Sequence, residues 1–132
     1  EGRFKKILLK SSVRYADLLP LQYKHRHMIV TFEKKYLQEL YEKGKSSDKK
    51  HRFQPDIVRR YIDRINILKN KDSVESLFTI KSLHYEALKG DRAGISSIRV
   101  NDQYRIEFSV SKEGNEPLIT ICNILELSNH YK

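Results

Sequence analysis

The stretch Leu88 to Val110, LKGDRAGISSIRVNDQYRIEFSV, constrains this chain most, because two alternating runs meet there at Asn101-Asp102-Gln103. Alternation with a period of two marks half-buried strands, and a short polar break between two such runs marks a β-hairpin. Loop length decides which residues share a face. A two-residue loop at Asn101-Asp102 would set Val100 opposite Gln103 and Ile98 opposite Arg105, mixing apolar and charged groups. A three-residue loop sets Val100 opposite Tyr104 and Ile98 opposite Ile106, leaving one face apolar. A slip of one residue would turn the whole apolar set to water, so the three-residue register is predicted, with Asn and Asp tolerating left-handed turn dihedrals. Arg99 and Arg105 then become cross-strand neighbours on the other face. Like charges so placed destabilise a sheet by roughly 0.2–1 kcal/mol. The pair therefore asks for a nearby acid, with Glu107 beside Ser97 as the candidate, or for an anion that binds later. Both arginines face away from the core in this register, so replacing either with alanine should leave the fold intact.

The rest of the chain supplies the elements that cover this hairpin. Met28–Phe32 reads as a short apolar strand, and Lys34–Lys43 as a helix with Leu37, Leu40 and Tyr41 on one side and Gly44 as its left-handed stop. Lys45–Arg52 is a polar, basic connector, either solvated or touching phosphate, and His51 within it is expected at the surface. The clearest helix begins at Pro55, with Asp56 beside it where the helix dipole favours an acid. Ile57, Val58, Tyr61, Ile62, Ile65 and Leu68 form its apolar stripe, and Arg59, Arg60, Asp63 and Arg64 its solvated face. A helical turn within Ser73–Ile80 and a strand at His84–Leu88 lead into the hairpin. Leu118–Leu127, LITICNILEL, is nearly continuous apolar, as a strand covered on both faces and central in its sheet would be. Helices early and strands late predict an α+β fold, two N-terminal helices packed against a small antiparallel-rich sheet.

Composition bounds the functions open to such a domain. The 132 residues carry 26 Lys and Arg against 17 Asp and Glu, for a net charge of +9. Residues 1–27 hold seven bases and two acids of these, so 28–132, the domain proper, is only moderately basic. Nucleic acid is the leading partner for that surplus, with a plain solubility surface as the bland account. Residues 1–27 lack clear alternation and read as a basic leader, appended or translated from upstream; a helix at Ile7–Tyr15 docking on the domain is the other reading. The leader is too polar for a secretory signal. No run approaches the roughly 20 apolar residues of a membrane span. The single cysteine, Cys122, excludes an internal disulfide framework and sits where packing is its simplest role. Zinc spacing, a Gly-rich phosphate loop and a Gly-flanked serine nucleophile are all missing, so neither a metal nor a cofactor is expected. A cytoplasmic protein is the default.

The run GDRAGISSIRVNDQYRIEF, with LKG just before it and NHYK at the end of the chain, resembles the HigB (host inhibition of growth) toxins of the RelE-like superfamily. Their usual pattern is LKG, a Gly-spaced turn, SIRVN, an aromatic, then RI and an aromatic, and the similarity spans roughly Met28 to Lys132. The resemblance implies the α+β plan already reached. It implies further a toxin of a type II toxin–antitoxin pair: an endoribonuclease that cuts messenger RNA in the ribosomal A site by metal-independent 2′-hydroxyl attack, leaves a cyclic phosphate, and is held inactive by a HigA-like, DNA-binding antitoxin. A non-catalytic RNA-binding module and a basic protein-interaction domain remain alternatives.

Cleavage of RNA without a metal needs a base for the 2′-hydroxyl proton, cations for charge growing on the phosphate, and an acid for the leaving 5′-oxygen. Arg99 and Arg105 suit the second role by charge and shared face, with Lys89, Arg92 and Lys132 as further RNA contacts. His130 suits proton transfer, since an unperturbed imidazole titrates near pH 6.5, and Tyr131 suits stacking or phosphate orientation. A frayed terminus is the bland account of His130-Tyr131-Lys132. HigB toxins commonly end in an aromatic and histidine cluster that takes part in cleavage, which these residues match with their order altered. Many members also read LHPLKG before the hairpin; here Glu86 holds the histidine's place, with His84 two residues earlier. The strand period would put His84 and Glu86 on one face. His130 ranks first as the base, then Glu86, then His84.

Overall fold

Local signals place the helices, and the sheet pairs the two ends of the domain. The computed structural model describes residues 27–115 and 118–129. It opens with β1 (Ile29–Phe32) and α1 (Lys35–Lys43), which stops where Gly44, at φ 77°, donates its amide to the Leu40 carbonyl at 3.1 Å. A left-handed residue at that point costs little only when no Cβ is present. The basic connector contains a 3-10 turn, Lys49–His51, whose entry is capped by the Asp48 carboxylate accepting from the Lys50 amide. α2 (Pro55–Asn70) follows, with Pro55 in its first turn and Ile57, Val58, Tyr61, Ile65 and Leu68 buried as one stripe. The Tyr61 hydroxyl donates to the Leu37 carbonyl at 2.7 Å, tying α2 to α1 through a polar group that the core would otherwise leave unmatched.

The polypeptide then passes through two 3-10 turns, Glu75–Thr79 and Lys81–Leu83, into β2 (Glu86–Ala87), shorter than the His84–Leu88 expected. The strand does not extend back to His84, which lies at φ 45°, outside the extended region. β3 (Ile95–Arg99) and β4 (Arg105–Glu113) form the hairpin, and β5 (Ile119–Ser128) closes the sheet in the order β1-β5-β4-β3-β2. The hairpin has the three-residue register: Ile98 faces Ile106, Arg99 faces Arg105, and the Val100 amide donates to the Tyr104 carbonyl at 2.9 Å. Asn101 sets the turn, its side-chain oxygen accepting from the amides of Gln103 (2.9 Å) and Tyr104 (2.7 Å).

β5 is an interior strand, although the middle of the sheet is β4. It runs parallel to β1 and antiparallel to β4, with Leu125 bulged out between the Glu107 and Phe108 pairings. Cys122, Ile124 and Leu127 join Val30, Phe32, Ile98, Ile106 and Phe108 in the core against α1 and α2. Ile119 and Ile121, of opposite parity on β5, are buried as well, which accounts for the unbroken apolar run. Burying side chains of this size stabilises by about 1.5–3 kcal/mol each before the cost of ordering the chain. The α+β architecture expected from the sequence, two helices on one antiparallel-rich sheet, is the one observed.

Candidate functional site

The register that buries Ile98 and Ile106 turns a row of polar residues to the face opposite α1 and α2. Glu86, Ser97, Glu107 and Glu126 stand in line across β2, β3, β4 and β5, and Arg99, Arg105 and Ser128 form the next row. Charged residues on an outer sheet face are ordinarily solvated. Here Arg105 is 8% exposed, Glu107 3% and Ser97 0%.

Arg105 is the organising group. Its Nε donates to the Ser97 hydroxyl at 2.8 Å, and one terminal nitrogen donates to the Ser97 carbonyl at 3.2 Å and to the His84 carbonyl. The same nitrogen lies 3.9 Å from the Glu86 carboxylate. The guanidinium thus crosses from β4 over β3 to fasten the segment entering β2, a task that needs several rigidly spaced donors. Arg105 faces away from the core as the register predicts, yet it is buried there by its own contacts, so its replacement is expected to cost stability. Arg99, opposite it, is more open. It pairs with Asp102 in the turn, and its backbone carbonyl accepts from Nε of Arg64 on α2 at 2.8 Å. Arg64 therefore leaves the solvated face expected of it, and burial first, then the Arg60 charge, holds its guanidinium below the ordinary value.

Glu107 stands beside Ser97 as the register predicts, and further acids join it on this face. Glu107 receives Arg92 at 2.5 Å, while Asp102 serves Arg99 and Glu86 approaches Arg105. Arg99 has Asp102 beside it, while Arg105 is held by the Ser97 hydroxyl and by the Ser97 and His84 carbonyls. The Glu107 carboxylate is almost fully covered and Arg92 is about half exposed, so the pair fixes the 3-10 turn Gly90–Arg92 against β4. Lys89 is exposed just before that turn.

The structure therefore gathers Glu86, Arg99 and Arg105 on one face, with Arg92 tethered to that face by Glu107. His84 joins them through its carbonyl; as it precedes β2, strand periodicity does not govern its side chain. His130, Tyr131 and Lys132 lie outside the described residues, as does the leader 1–26. Ser97, Asp102 and Arg64 were not singled out from the sequence. Asp102 was within reach of a spacing argument, three residues from Arg99 across a turn; nothing in the sequence pairs Arg105 with a carbonyl 21 residues away. His51, expected at the surface, stacks on Tyr36 at 3.6 Å between ring centres and bonds the Asp48 carboxylate at 2.9 Å. Among the described residues, no group of three or more His, Cys, Asp or Glu is placed to hold a metal ion, and no helix is long and apolar enough to cross a membrane.

Two helices over a sheet whose far face carries anchored arginines and carboxylates define a small α+β domain with one polar sheet face. Residues 30–119 match the family described as the RelE-like toxin of type II toxin-antitoxin system HigB. Toxin HigB-1 of Vibrio cholerae serotype O1 is 34% identical over 82 residues, which are 61% of this chain and 82% of that protein. The chain belongs to the HigB family of RelE-like toxins, as its hairpin motif implied, and is a toxin of a type II toxin–antitoxin system. Membership implies a cognate antitoxin as partner. Among solved structures, the YoeB/ParE toxin from Agrobacterium tumefaciens aligns with a TM-score of 0.48 at 20% identity, covering 79% of this chain and 100% of that one.

Proposed function

We propose that the chain is an endoribonuclease of the cytoplasm that cuts messenger RNA positioned in the ribosomal A site, using protein groups alone. The observation that carries this reading is the polar sheet face, where Arg105 is pinned at two carbonyls and a hydroxyl with Arg99 directly opposite and Glu86 within 3.9 Å. Preorganised cations stabilise charge that develops on a phosphate, because no reorganisation is needed as the reaction proceeds.

In the proposed step a base removes the proton of a 2′-hydroxyl, and that oxygen attacks the adjacent phosphorus. The bond to the 5′-oxygen breaks, a 2′,3′-cyclic phosphate forms, and an acid protonates the departing oxygen. Arg99 and Arg105 neutralise the non-bridging oxygens, with Arg105 also holding the backbone of the site in place. Arg92, Lys89 and Lys132 contact flanking phosphates. His130 serves as first choice for proton transfer: it follows Ser128 by two residues, and Ser128 pairs with Arg105. Glu86 and then His84 follow it in rank, and Tyr131 stacks on a base or orients the phosphate. The antitoxin, HigA-like and DNA-binding in this reading, keeps the site idle until it is released.

A surface this small offers few contacts to a flexible strand, so the ribosome supplies the positioning. Purified chain is expected to cut message on translating ribosomes and to leave the same RNA largely intact in free solution. Equal cutting of both would replace this reading with a general nuclease. Retained RNA affinity without cutting in either setting would replace it with a binding module.

A further inference from the structure

Around the β2 edge from the arginine face, joined to it through the His84 backbone, lies a second feature that the cleavage scheme does not use. A cleft of about 480 Å3 is lined by Phe78, Ile80, Lys81, His84 and Tyr85. Phe78 is 56% exposed, one of two large hydrophobic side chains so open among the described residues. Its ring leans on Tyr85 with centres 4.9 Å apart and planes tilted by 44°. Tyr85 is fixed in turn, since its hydroxyl hydrogen-bonds the Ser96 hydroxyl on β3 at 2.7 Å. Leu77, fully buried, anchors the turn that carries Phe78. An aromatic platform held on one side and open on the other is rigid without being covered.

Two further observations give the platform a direction. His84 is the non-glycine residue with positive φ among those described, and such backbone persists where surrounding contacts over-determine it. The contact here is the Arg105 guanidinium on the His84 carbonyl, so the residue lining the cleft is held by the same group that organises the polar face. Lys81 and His84 bring cation and hydrogen-bonding capacity to an otherwise apolar wall. Every nucleobase has a π-face, and aromatic side chains flanked by cations are how proteins take up unpaired nucleotides with little sequence preference. A protein partner would be served by a broader apolar patch free of exposed lysine and histidine.

We propose that this cleft is a base-stacking subsite, in which an unpaired nucleotide flanking the cleaved bond lies on Phe78 with its phosphate near Lys81. The inference rests on the ribonuclease reading above and adds to it where the neighbouring nucleotide goes. A stacked base would stop the strand from sliding past Arg99 and Arg105, so the subsite works by positioning.

The test compares full-length wild-type chain with Phe78→Leu and Phe78→Trp on a translated message in a purified ribosome system, and with each variant's affinity for the antitoxin. Leucine keeps the apolar contact with Tyr85 and removes the π-face; tryptophan enlarges it. Phe78→Leu is expected to lower kcat/KM about 5- to 150-fold, the scale of one lost base stack, with Phe78→Trp at or above wild type and antitoxin affinity unchanged for both. Wild-type cleavage with Phe78→Leu equally active overturns the subsite and leaves the nuclease reading standing. Loss of antitoxin affinity with cleavage retained would make the cleft a protein-docking surface instead. A wild-type chain that cuts no message overturns both readings.

Discussion

Replacing Arg105 with alanine should unfold part of this protein's stability margin as well as its activity, and the structure sets the size of the effect. The side chain is about 10% exposed, and its hydrogen bonds include those to the Ser97 hydroxyl, the Ser97 carbonyl and the His84 carbonyl. Bonds from charged donors contribute about 1.5–3 kcal/mol each, and a buried acceptor left unmatched costs about 1–3 kcal/mol. Such bonds do not add fully, because water enters the cavity at its exposed rim and relief of the repulsion with Arg99 returns roughly 0.2–1 kcal/mol. The Glu86 pair adds little, since that carboxylate is 59% exposed. A net loss of about 3 kcal/mol results, which for a domain near 100 residues lowers Tm by about 12–24 °C. Arg99→Ala provides the contrast: its partner Asp102 is 97% exposed, so the change should stay within about 1 kcal/mol, or a few degrees. Thermal melts followed by far-ultraviolet circular dichroism, with urea titration as a second measure, separate the two. Arg105→Lys should fall between, because one ammonium cannot span Ser97 and His84 as the planar fork does. An Arg105→Ala protein melting within about 3 °C of wild type would refute the structural role argued for this residue.

Glu39 accepts from the Ser47 amide at 3.0 Å and from the Ser46 and Ser47 hydroxyls, and the backbone bond above all holds its carboxyl below the ordinary value of 4.5. A lowered folded-state pKa adds stability that is present above 4.5 and is lost as pH falls through the folded value. Glu39→Gln should flatten that acid limb of a urea-stability profile, and an unchanged limb would rule the contribution out. Burial pushes the Cys122 thiol up to about 12, so the folded chain should resist alkylation by iodoacetamide near neutral pH and react on unfolding; fast labelling of native protein would contradict the packing. His130→Gln should lower ribosome-dependent cleavage by roughly 100- to 10,000-fold, the usual scale for one general acid or base, with melting unchanged. Wild-type rates would instead move the proton-transfer role to Glu86.

By itself the sequence determined those features that one strand or one helix can decide locally. The hairpin register followed from Val100, Ile98, Ile106 and Tyr104, because an alternative by one residue exposes the whole set. α2 followed from Pro55 and its stripe, the end of α1 from Gly44, and the packed thiol from the apolar run around Cys122. Family membership was legible in the hairpin motif for the same reason: the residues that set the register also carry the pattern. Tertiary structure alone decided what covers the polar face. Alternation says that Arg105 points away from α1 and α2, but not that it is buried there or that it bonds the carbonyl of a left-handed His84 lying 21 residues upstream. The pairing of Arg92 with Glu107, the Arg64 bond to the Arg99 carbonyl and the Phe78–Tyr85 platform have the same origin. Each joins groups from separate elements, and their distance in space is set by how the sheet twists and the turns pack. Periodicity assigns a residue to a side of its own element; only the assembled chain places another element there.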